Sequence, residues 1–490
     1  MGAYARRGRT KPLRRPQPGR RLPGKCPVRE SGGAAHDGVS RNPCKRLNRM
    51  LIELAVANYR SIKGEQRLSL VAGRDKNLRE ANTFQPEPGG GGAKKNPRLL
   101  RSAGLYGPNA SGKTNLIRAL ATMRRMVSGS GAGTDRLPVE PFLLDAATRA
   151  QPTLFEVMVR VAGVRYQYGF SATAKRIHDE WLFAFPKGRA QRRFEREFFP
   201  GEDREEFTFG EKLTGDKAIW RRATRPDALF LSTAVGLNSR QLQPLFDWFK
   251  DGLGVVGVDG GPPARSLEWC QDDHNGDNKQ RILKFLQAAD FAIADLQVEE
   301  VEEAPGFPPD LPPGDLPPLP RQFFHQLAFQ IKGIQGRKLF VVHRANDGIP
   351  VRLSLALESD GTQKMFHLAA PWLDALDHGR VLFVDGLHDN LHPLLAQFLV
   401  RLFHSEETNP KGAQLIFTTH ETSILSDEYL RRDQIWFLER DENQASRLYS
   451  LEDFKLREGV KNPERAYRNG RYGALPFPRD FFDTSGVRYG

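Results

Sequence analysis

A glycine-rich stretch carries the clearest chemical signal in this chain. Residues 107–114 have the spacing G-x-x-x-x-G-K-[ST] and lie between a short apolar run and a helical pattern. Gly107 and Gly112 let the backbone curl so that N–H groups point at phosphate oxygens, and the dipole of the following helix favours the same anion. Lys113 can reach β- and γ-phosphates, and Thr114 can offer its hydroxyl to Mg²⁺. The stretch predicts a nucleoside triphosphate site made of Gly107, Pro108, Asn109, Ala110, Ser111, Gly112, Lys113, Thr114 and Asn115.

Two later strand patterns end in residues that suit the same chemistry. Asp385 follows the apolar run 381–384 and precedes Gly386, which frees the chain to turn. A carboxylate there can be the second protein ligand of Mg²⁺, or an aspartate that only caps a turn. His420 ends the apolar run 414–419, where an imidazole can hydrogen-bond a γ-phosphate or the attacking water, or be an exposed strand end. We predict that Lys113, Asp385 and His420 carry the catalysis and that Thr114 and Asp385 hold the metal.

A Ser-x-Gly turn predicts a second anion site. Ser359, Gly361 and Thr362 directly precede an apolar helix, and the N-terminus of a helix binds anions. Such helix caps are common in proteins. The support for an anion site therefore comes from the position of the turn, about 24 residues before Asp385.

Composition is typical of a globular intracellular protein. The 490 residues leave room for two to four domain-sized units, and 39% are hydrophobic against 27% charged. No apolar run approaches the ~18 residues of a membrane-spanning helix. The three cysteines have neither metal nor redox spacing, which favours a reducing, cytoplasmic compartment without disulfides and without a membrane partner.

The positive charge belongs to a tail. Residues 1–49 hold fourteen Lys and Arg against Glu30 and Asp37, and so carry all but two of the net +14 charges. Their Arg, Pro and Gly content predicts disorder. The tail fits a nucleic-acid-binding arm, a transit peptide, or an upstream start-site artefact in which Met50 is the first residue; a strand pattern beginning at Leu51 favours the last.

The remaining periodicities predict three further segments. Residues 50–215 combine the phosphate loop with antiparallel strands, including a hairpin over 153–169 that turns at Ala162-Gly163. Residues 216–320 have helical spacing at 228–237, 241–250 and 281–296, followed by a Pro-rich loop at 304–320, and predict a helical insertion. Residues 321–490 resume strand patterns at 326–331 and 338–343, and then contain the buried runs ending at Asp385, His420 and Leu438.

In this order, the motifs resemble the ABC-type ATPase heads of the SMC/RecF/OLD group, whose first strand also resembles residues 58–62. More narrowly, residues 391–393, 431–436 and 470–474 resemble the AbiL/RloA-type, AAA-annotated ATPases of bacterial abortive infection. The resemblance covers roughly residues 50–480. It implies an α/β P-loop ATPase head with a mainly parallel core sheet, an antiparallel side sheet and a helical insertion.

The resemblance also implies a mechanism. Such heads bind Mg-ATP and form a homodimer or higher oligomer, with ATP held between the P-loop of one subunit and the Ser-x-Gly turn of the other. Ser359 and Gly361 would then act in trans. Relatives commonly work with a TOPRIM-type, nuclease-like partner protein in phage defence. A catalytically weak, ATP-dependent scaffold is the alternative.

One position departs from that family. A glutamate usually follows the strand aspartate and polarises the attacking water, but here the residue is Gly386. Either hydrolysis is slow, or His420 or Asp389 substitutes.

Three other interpretations receive less support. The motif His388-Asp389-Asn390-Leu391-His392 imitates a zinc helix, but Pro393 follows it at once. A kinase or GTPase lacks support because the guanine-reading Asn-Lys-x-Asp is absent. The arginine clusters at 192–196 and 221–225 favour solvated faces, while a nucleic-acid contact stays open.

Overall fold

The computed structural model describes residues 49–86, 96–129, 136–258, 264–271, 276–300, 337–454 and 462–476. All of these belong to one unit, Leu47–Gly490. The predicted tail (apart from Arg49), the Pro-rich loop at 304–320 and the strand at 326–331 lie outside the described residues.

The N-terminal half is rich in strands. In chain order its elements are β1 (Arg49–Ala57), β2 (Gln66–Ser69), α1 (Arg79–Asn82), β3 (Thr83–Phe84), β4 (Leu99–Leu100), β5 (Ser102–Tyr106), α2 (Lys113–Gly129), β6 (Thr153–Val161), β7 (Val164–Ala172), β8 (Ile177–Phe185), β9 (Gln191–Phe199), β10 (Arg204–Phe209), α3 (Lys217–Ala223), α4 (Phe230–Gly236) and α5 (Gln243–Asp251).

The C-terminal half alternates strands and helices. Its elements are β11 (Leu253–Val256), α6 (Ala264–Gln271), α7 (Asp277–Ala288), β12 (Asp295–Glu300), β13 (Arg337–Arg344), β14 (Pro350–Ser354), α8 (Asp360–His378), β15 (Val381–Val384), α9 (Pro393–His404), β16 (Gln414–Thr418), β17 (Ile435–Arg440), β18 (Ser446–Ser450) and α10 (Pro463–Arg468), with short 3₁₀ turns between some of them.

A six-stranded central sheet positions the predicted site. Its strand order is β11-β15-β16-β5-β17-β18, and every neighbouring pair is parallel except β17 and β18. Both faces are covered, so the strands are apolar throughout: Val381 and Phe383 point into one core, Leu382 and Val384 into the other. We call β5 the phosphate strand, because it leads into the predicted phosphate loop. Since β16 separates β5 from β15, the strand that ends before Asp385 is not a direct neighbour of the phosphate strand.

One face of the central sheet is covered by α2 and an antiparallel sheet of order β10-β9-β8-β7-β6-β1-β2. Leu116 and Leu120 of α2 share a core with Leu54 of β1 and Leu105 of β5, so α2 joins the two sheets. The β6–β7 hairpin turns at Ala162-Gly163, as its sequence predicts. The other face packs against α7, α8, α9 and α10.

Residues 216–320, predicted to be a helical insertion, contain a strand that the sequence did not predict. Residues 253–256 form β11, the edge strand of the central sheet, which pairs in parallel with β15. The four residues Leu-Gly-Val-Val are too short a run for the hydrophobic periodicity of a strand or a helix to be recognised. Similarly, the predicted helix 281–296 ends at Ala288, and Asp295 already pairs with Val342 in a small sheet of order β12-β13-β14. None of the described helices is both long and apolar enough to cross a membrane.

Candidate functional site

The predicted phosphate loop joins β5 to α2. Gly107 and Gly112 have φ angles of +149° and +104°, which side chains other than glycine rarely adopt. A Cβ at Gly107 would lie 2.1 Å from the backbone oxygen of Leu438, and one at Gly112 would lie 2.1 Å from Ser446 Oγ. Both glycines are therefore required by close packing as well as by backbone conformation.

The loop offers unused hydrogen-bond donors. Within the described part of the chain, the backbone N–H groups of Asn109, Ala110 and Gly112 donate to no acceptor. The hydroxyl of Ser111 is buried and also without a partner among these residues. The 17-residue helix α2 begins directly after them, at Lys113. A helix N-terminus with free donors and an orphaned hydroxyl fits an anion such as a phosphate.

Lys113 supplies the positive charge of the loop. Its Nζ donates to the backbone oxygens of Gly107 at 2.8 Å and of Pro108 at 2.9 Å, which folds the side chain back over the loop. Burial lowers the pKa of Lys113 to about 8, although the carboxylate of Asp385 acts in the opposite direction. The amine is thus largely charged at neutral pH and lies close enough to Asp385 to be influenced by it.

Two serines that are distant in sequence form hydrogen bonds that support the phosphate loop. Ser61 follows β1 and Ser446 begins β18, and their hydroxyl oxygens are 2.8 Å apart. Ser446 Oγ also donates to the backbone oxygen of Ser111 at 2.7 Å, while Asn115 Nδ2 donates to Ser61 Oγ at 2.8 Å. Ser61 lies in the predicted first-strand segment, but nothing in the sequence singled out Ser446.

Asp385 lies at the same edge of the central sheet. It follows β15, and its Oδ1 accepts a hydrogen bond from Thr418 Oγ1 at 2.7 Å. The same hydroxyl accepts from the backbone N–H of Gly386 at 2.7 Å. Thr418, at the end of β16, is a residue whose role the sequence did not indicate, although it lies two residues before the predicted His420.

Four charged or titratable side chains gather around Asp385. His388 and His420 pack edge to face with ring centroids 5.1 Å apart, and Lys364 Nζ donates to the backbone oxygen of Gly386 at 2.8 Å. Burial, followed by Lys113 and His388, lowers the pKa of His420 to about 4. His420 is therefore a neutral imidazole at neutral pH, able to donate one hydrogen bond and accept another. Asp389, the fourth, influences the pKa of Lys364, His388 and His420.

The Ser-x-Gly turn forms the N-terminus of α8. Ser359 Oγ accepts from the backbone N–H of Thr362 at 3.1 Å and is 2.8 Å from its hydroxyl. The position of a Cβ on Gly361 is 3.0 Å from the backbone oxygen of Asn390, so the turn lies beside the loop that follows Asp385.

The residues present fit a magnesium nucleotide. Thr114, in the first turn of α2, and Asp385 offer the hydroxyl and carboxylate oxygens that Mg²⁺ prefers. They are the residues that would hold the ion, which supplies neutralisation of phosphate charge.

The zinc-like and basic patterns have structural explanations. His392 Nδ1 accepts from the backbone N–H of Leu394 and caps α9, so the His388–His392 motif precedes a helix and does not form one. In the arginine clusters, Arg196 is buried and donates to Glu205, Arg192 bonds to Glu195, and Arg225 bonds to Asp227.

A family model described as "AAA domain, putative AbiEii toxin, Type IV TA system" matches residues 102–426, about two thirds of the chain. The match runs from β5 through the phosphate loop, the Ser-x-Gly turn and Asp385 to just beyond His420. The chain belongs to this AAA family. It is thus an ATP-binding AAA-type ATPase, and the ABC-type, SMC-like character expected from its motifs agrees with this assignment.

Solved structures show a more distant likeness. The chain is similar to an Smc head bound to the C-terminal winged-helix domain of ScpA, with 11% identity, a TM-score of 0.38, and 84% of this chain and 99% of the other covered. It is also similar to an Smc head with an extended coiled coil, bound to the C-terminal domain of ScpA derived from Pyrococcus furiosus, with 11% identity, a TM-score of 0.35, and 86% and 99% covered. These scores are too low to carry an argument. No protein of curated function matches the AAA-family chain.

Proposed function

We propose that this AAA-family ATPase binds Mg-ATP at residues 107–115, closes into a dimer around it, and thereby controls a partner effector. Lys113 holds the β- and γ-phosphates, and Thr114 and Asp385 hold Mg²⁺. His420 contacts the γ-phosphate, and Ser359, Gly361 and Thr362 complete the site of the opposite subunit. Hydrolysis reopens the dimer.

The phosphate loop carries this proposal. Among the described residues, the backbone N–H groups of Asn109, Ala110 and Gly112 and the Ser111 hydroxyl have no hydrogen-bond partner, and they lie with the largely charged Lys113 amine in one loop at the start of a long helix. Asp385 reaches the same sheet edge from a different strand, where Thr418 fixes its orientation. This combination provides donors for phosphate and oxygen ligands for a hard cation, as a nucleoside triphosphate with Mg²⁺ requires.

Nucleotide binding is the first test. The affinity of the protein for a fluorescent ATP analogue, and for ATP by competition, is measured with and without Mg²⁺. We expect Lys113→Ala to weaken ATP binding roughly 10- to 100-fold, because hydrogen bonds to charged groups are worth about 1.5–3 kcal/mol. Lys284→Ala, at an exposed position of α7, is the matched control and should bind like the parent. Equal affinity in all three proteins would refute the assignment of the loop.

Dimerisation is tested by mixing two variants. Ser359→Asp retains a residue that can cap α8 but adds negative charge where a phosphate would approach, and Ser359→Asn is its neutral control. In a dimer with shared sites, Lys113→Ala and Ser359→Asp are each inactive alone. Their mixture should recover ATP turnover, because one of the two sites then combines an intact loop with an intact turn. No recovery, together with a monomeric mass in ATP, would contradict action in trans.

The family description and the resemblance support the proposed biological role. The family description names a toxin of a toxin–antitoxin system, and the resemblance implies phage defence with a TOPRIM-type, nuclease-like partner. Plaque counts on cells carrying the gene with its chromosomal neighbours test this role. Protection that Lys113→Ala abolishes is expected, whereas protection independent of Lys113 would separate the ATP site from defence.

A scaffold without turnover is the second candidate, and Gly386 favours it. In that case ATP alone, without an analogue, would hold a stable dimer, and light scattering would detect no return to the monomer.

A further inference from the structure

The missing side chain at Gly386 leaves a space that another residue fills. Gly386 has φ +66°, a left-handed conformation that favours glycine. A Cβ built on it would lie 1.9 Å from Asp389 Oδ2 and 2.8 Å from Asp389 Cγ. The carboxylate of Asp389 therefore lies against the face of Gly386 from which a side chain at that position would project.

The backbone explains how a residue three positions later reaches this place. The N–H of Asp389 donates to the backbone oxygen of Gly386 at 3.1 Å, which closes a tight turn directly after Asp385. The turn folds residue 389 back over residue 386. Only a residue without Cβ leaves room for the carboxylate there.

We propose that Asp389 is the group that polarises the attacking water in this chain, in the place of the absent side chain at position 386. This inference rests on the proposed Mg-ATP site. The water oxygen forms a bond to the γ-phosphorus. The bond from that phosphorus to the bridging oxygen breaks, and its electron pair leaves with ADP. The proton of the water passes to the Asp389 carboxylate and then to solvent.

The surroundings of Asp389 suit this task. Its side chain is 57% exposed, so water can reach it, and Oδ1 is 3.4 Å from His388 Nε2. Lys364 donates to the backbone oxygen of Gly386 and so ties α8 to the same turn. The carboxylate thus lies between Gly386 and the ring of His388, while more than half of the side chain stays exposed.

His420 is the competing base, and its packing argues for a different role. Its backbone N–H points to His388 Nδ1 at 3.4 Å, its ring packs against the ring of His388, and it follows the strand next to the phosphate strand. That position suits contact with the γ-phosphate, whereas the three described atoms nearest to the space at Gly386 all belong to Asp389. Loss of His420 is thus expected to weaken ATP affinity as well as turnover, and loss of Asp389 to reduce turnover alone.

The decisive variant is Asp389→Asn, which keeps the shape of the side chain and removes the basic oxygen. We expect unchanged Mg-ATP affinity, turnover lower by roughly 10²–10⁴-fold, and bound nucleotide that remains ATP after quenching, where the parent holds ADP. Asp290→Asn, at an exposed aspartate after α7, is the control and should resemble the parent.

A second measurement needs no nucleotide. Gly386→Ala should lower the midpoint of thermal unfolding more in the parent than in an Asp389→Ala background, because Asp389 Oδ2 occupies the space of the new methyl group. Equal shifts would show that the carboxylate does not lie there and would overturn the proposal.

The outcomes separate this inference from the function it rests on. Parent-like turnover in Asp389→Asn, or an ATP-binding parent with no turnover at all, overturns the role of Asp389 and leaves the ATP site intact. A parent that does not bind ATP overturns both.

Discussion

Thr418 Oγ1 donates a hydrogen bond to Asp385 Oδ1 at 2.7 Å, and this contact joins the ends of β16 and β15. Because the same oxygen accepts from the N–H of Gly386, the position of the carboxylate and the start of the turn after it depend on one buried hydroxyl. If Asp385 is a metal ligand, as proposed, Thr418 is the group that orients it, and loss of such a group typically lowers metal affinity roughly 10- to 100-fold.

Replacement of that hydroxyl should affect the metal and spare the nucleotide. Thr418→Val keeps the shape of the side chain but leaves Asp385 Oδ1 and the N–H of Gly386 without this partner. We expect the Mg²⁺ concentration needed for half-maximal turnover to rise roughly 10- to 100-fold, with metal-free ATP affinity unchanged. Thr418→Ser should behave like the parent. An unaltered Mg²⁺ requirement in the valine variant would mean that Asp385 is not a metal ligand or does not need this support.

The phosphate loop should not tolerate a methyl group at Gly112. A Cβ there would lie 2.1 Å from Ser446 Oγ and 2.8 Å from Ser61 Oγ, at φ +104°. We expect Gly112→Ala to lower the free energy of unfolding by about 1–3 kcal/mol, measured in urea without nucleotide. Gly129→Ala at the end of α2 is the control, since among the described residues its Cβ would meet nothing within 4 Å beyond its own stretch of helix. Equal stability of the two variants would contradict the close packing of the loop on the serines.

Buried His404 should make stability depend on pH. Its Nε2 is 2.8 Å from Ser102 Oγ, and burial, followed by Arg101, lowers its pKa to about 3. In the unfolded chain its pKa is near 6.5, so between pH 6.5 and about 3 only the unfolded state takes up this proton. The contribution of neutral, buried His404 to the free energy of unfolding is thus complete above pH 6.5. It decreases as the pH falls, by roughly 1 kcal/mol per pH unit.

The comparison of His404→Gln with the parent tests this dependence. Glutamine keeps a hydrogen-bonding group near Ser102 but does not titrate. The free energy of unfolding, measured in urea at pH 7, 6 and 5, should decrease less steeply with falling pH for the variant. The difference between the two slopes corresponds to the uptake of at most one proton on unfolding. Parallel slopes for the two proteins would show that His404 is not the group responsible.

Arg431 and Asp433 form a buried ion pair just before β17, and Arg431 also binds the chain segment after β2. Arg431 donates to both carboxylate oxygens of Asp433 and, at 2.8 and 2.6 Å, to the backbone oxygens of Asp75 and Asn77. Both charged side chains are almost fully buried. Arg431→Met leaves a buried carboxylate without its cation and should cost about 3–5 kcal/mol of unfolding free energy. Arg468→Met, which removes an exposed pair with Glu464, should change stability by less than about 1 kcal/mol. A small loss at position 431 would show that the pair is dispensable.

Local sequence patterns were sufficient to predict the elements that position the candidate site. The glycine spacing predicted the loop at 107–114, and the structure has it between β5 and α2. The apolar runs before Asp385 and His420 are buried strands of one sheet, since a strand covered on both faces must be apolar throughout. The Ser-x-Gly turn caps α8 as its residue types predict. The roles of these residues toward nucleotide and metal stay predictions.

The tertiary structure decided which distant residues meet. Strand order is not encoded in local periodicity, so the position of β16 between β5 and β15, and the inclusion of β11 at the edge, became visible only in the folded chain. Ser446 reaches Gly112 across more than three hundred residues. The carboxylate of Asp389 reaches Gly386 through the conformation of a single turn, which depends on positive φ at a glycine and on the packing around it. The sequence by itself determined the types of side chain at the candidate site and the strands and helices on which they lie, because local structure follows from neighbouring residues. Their mutual positions depend on burial of the two shared cores, and that is a property of the whole chain.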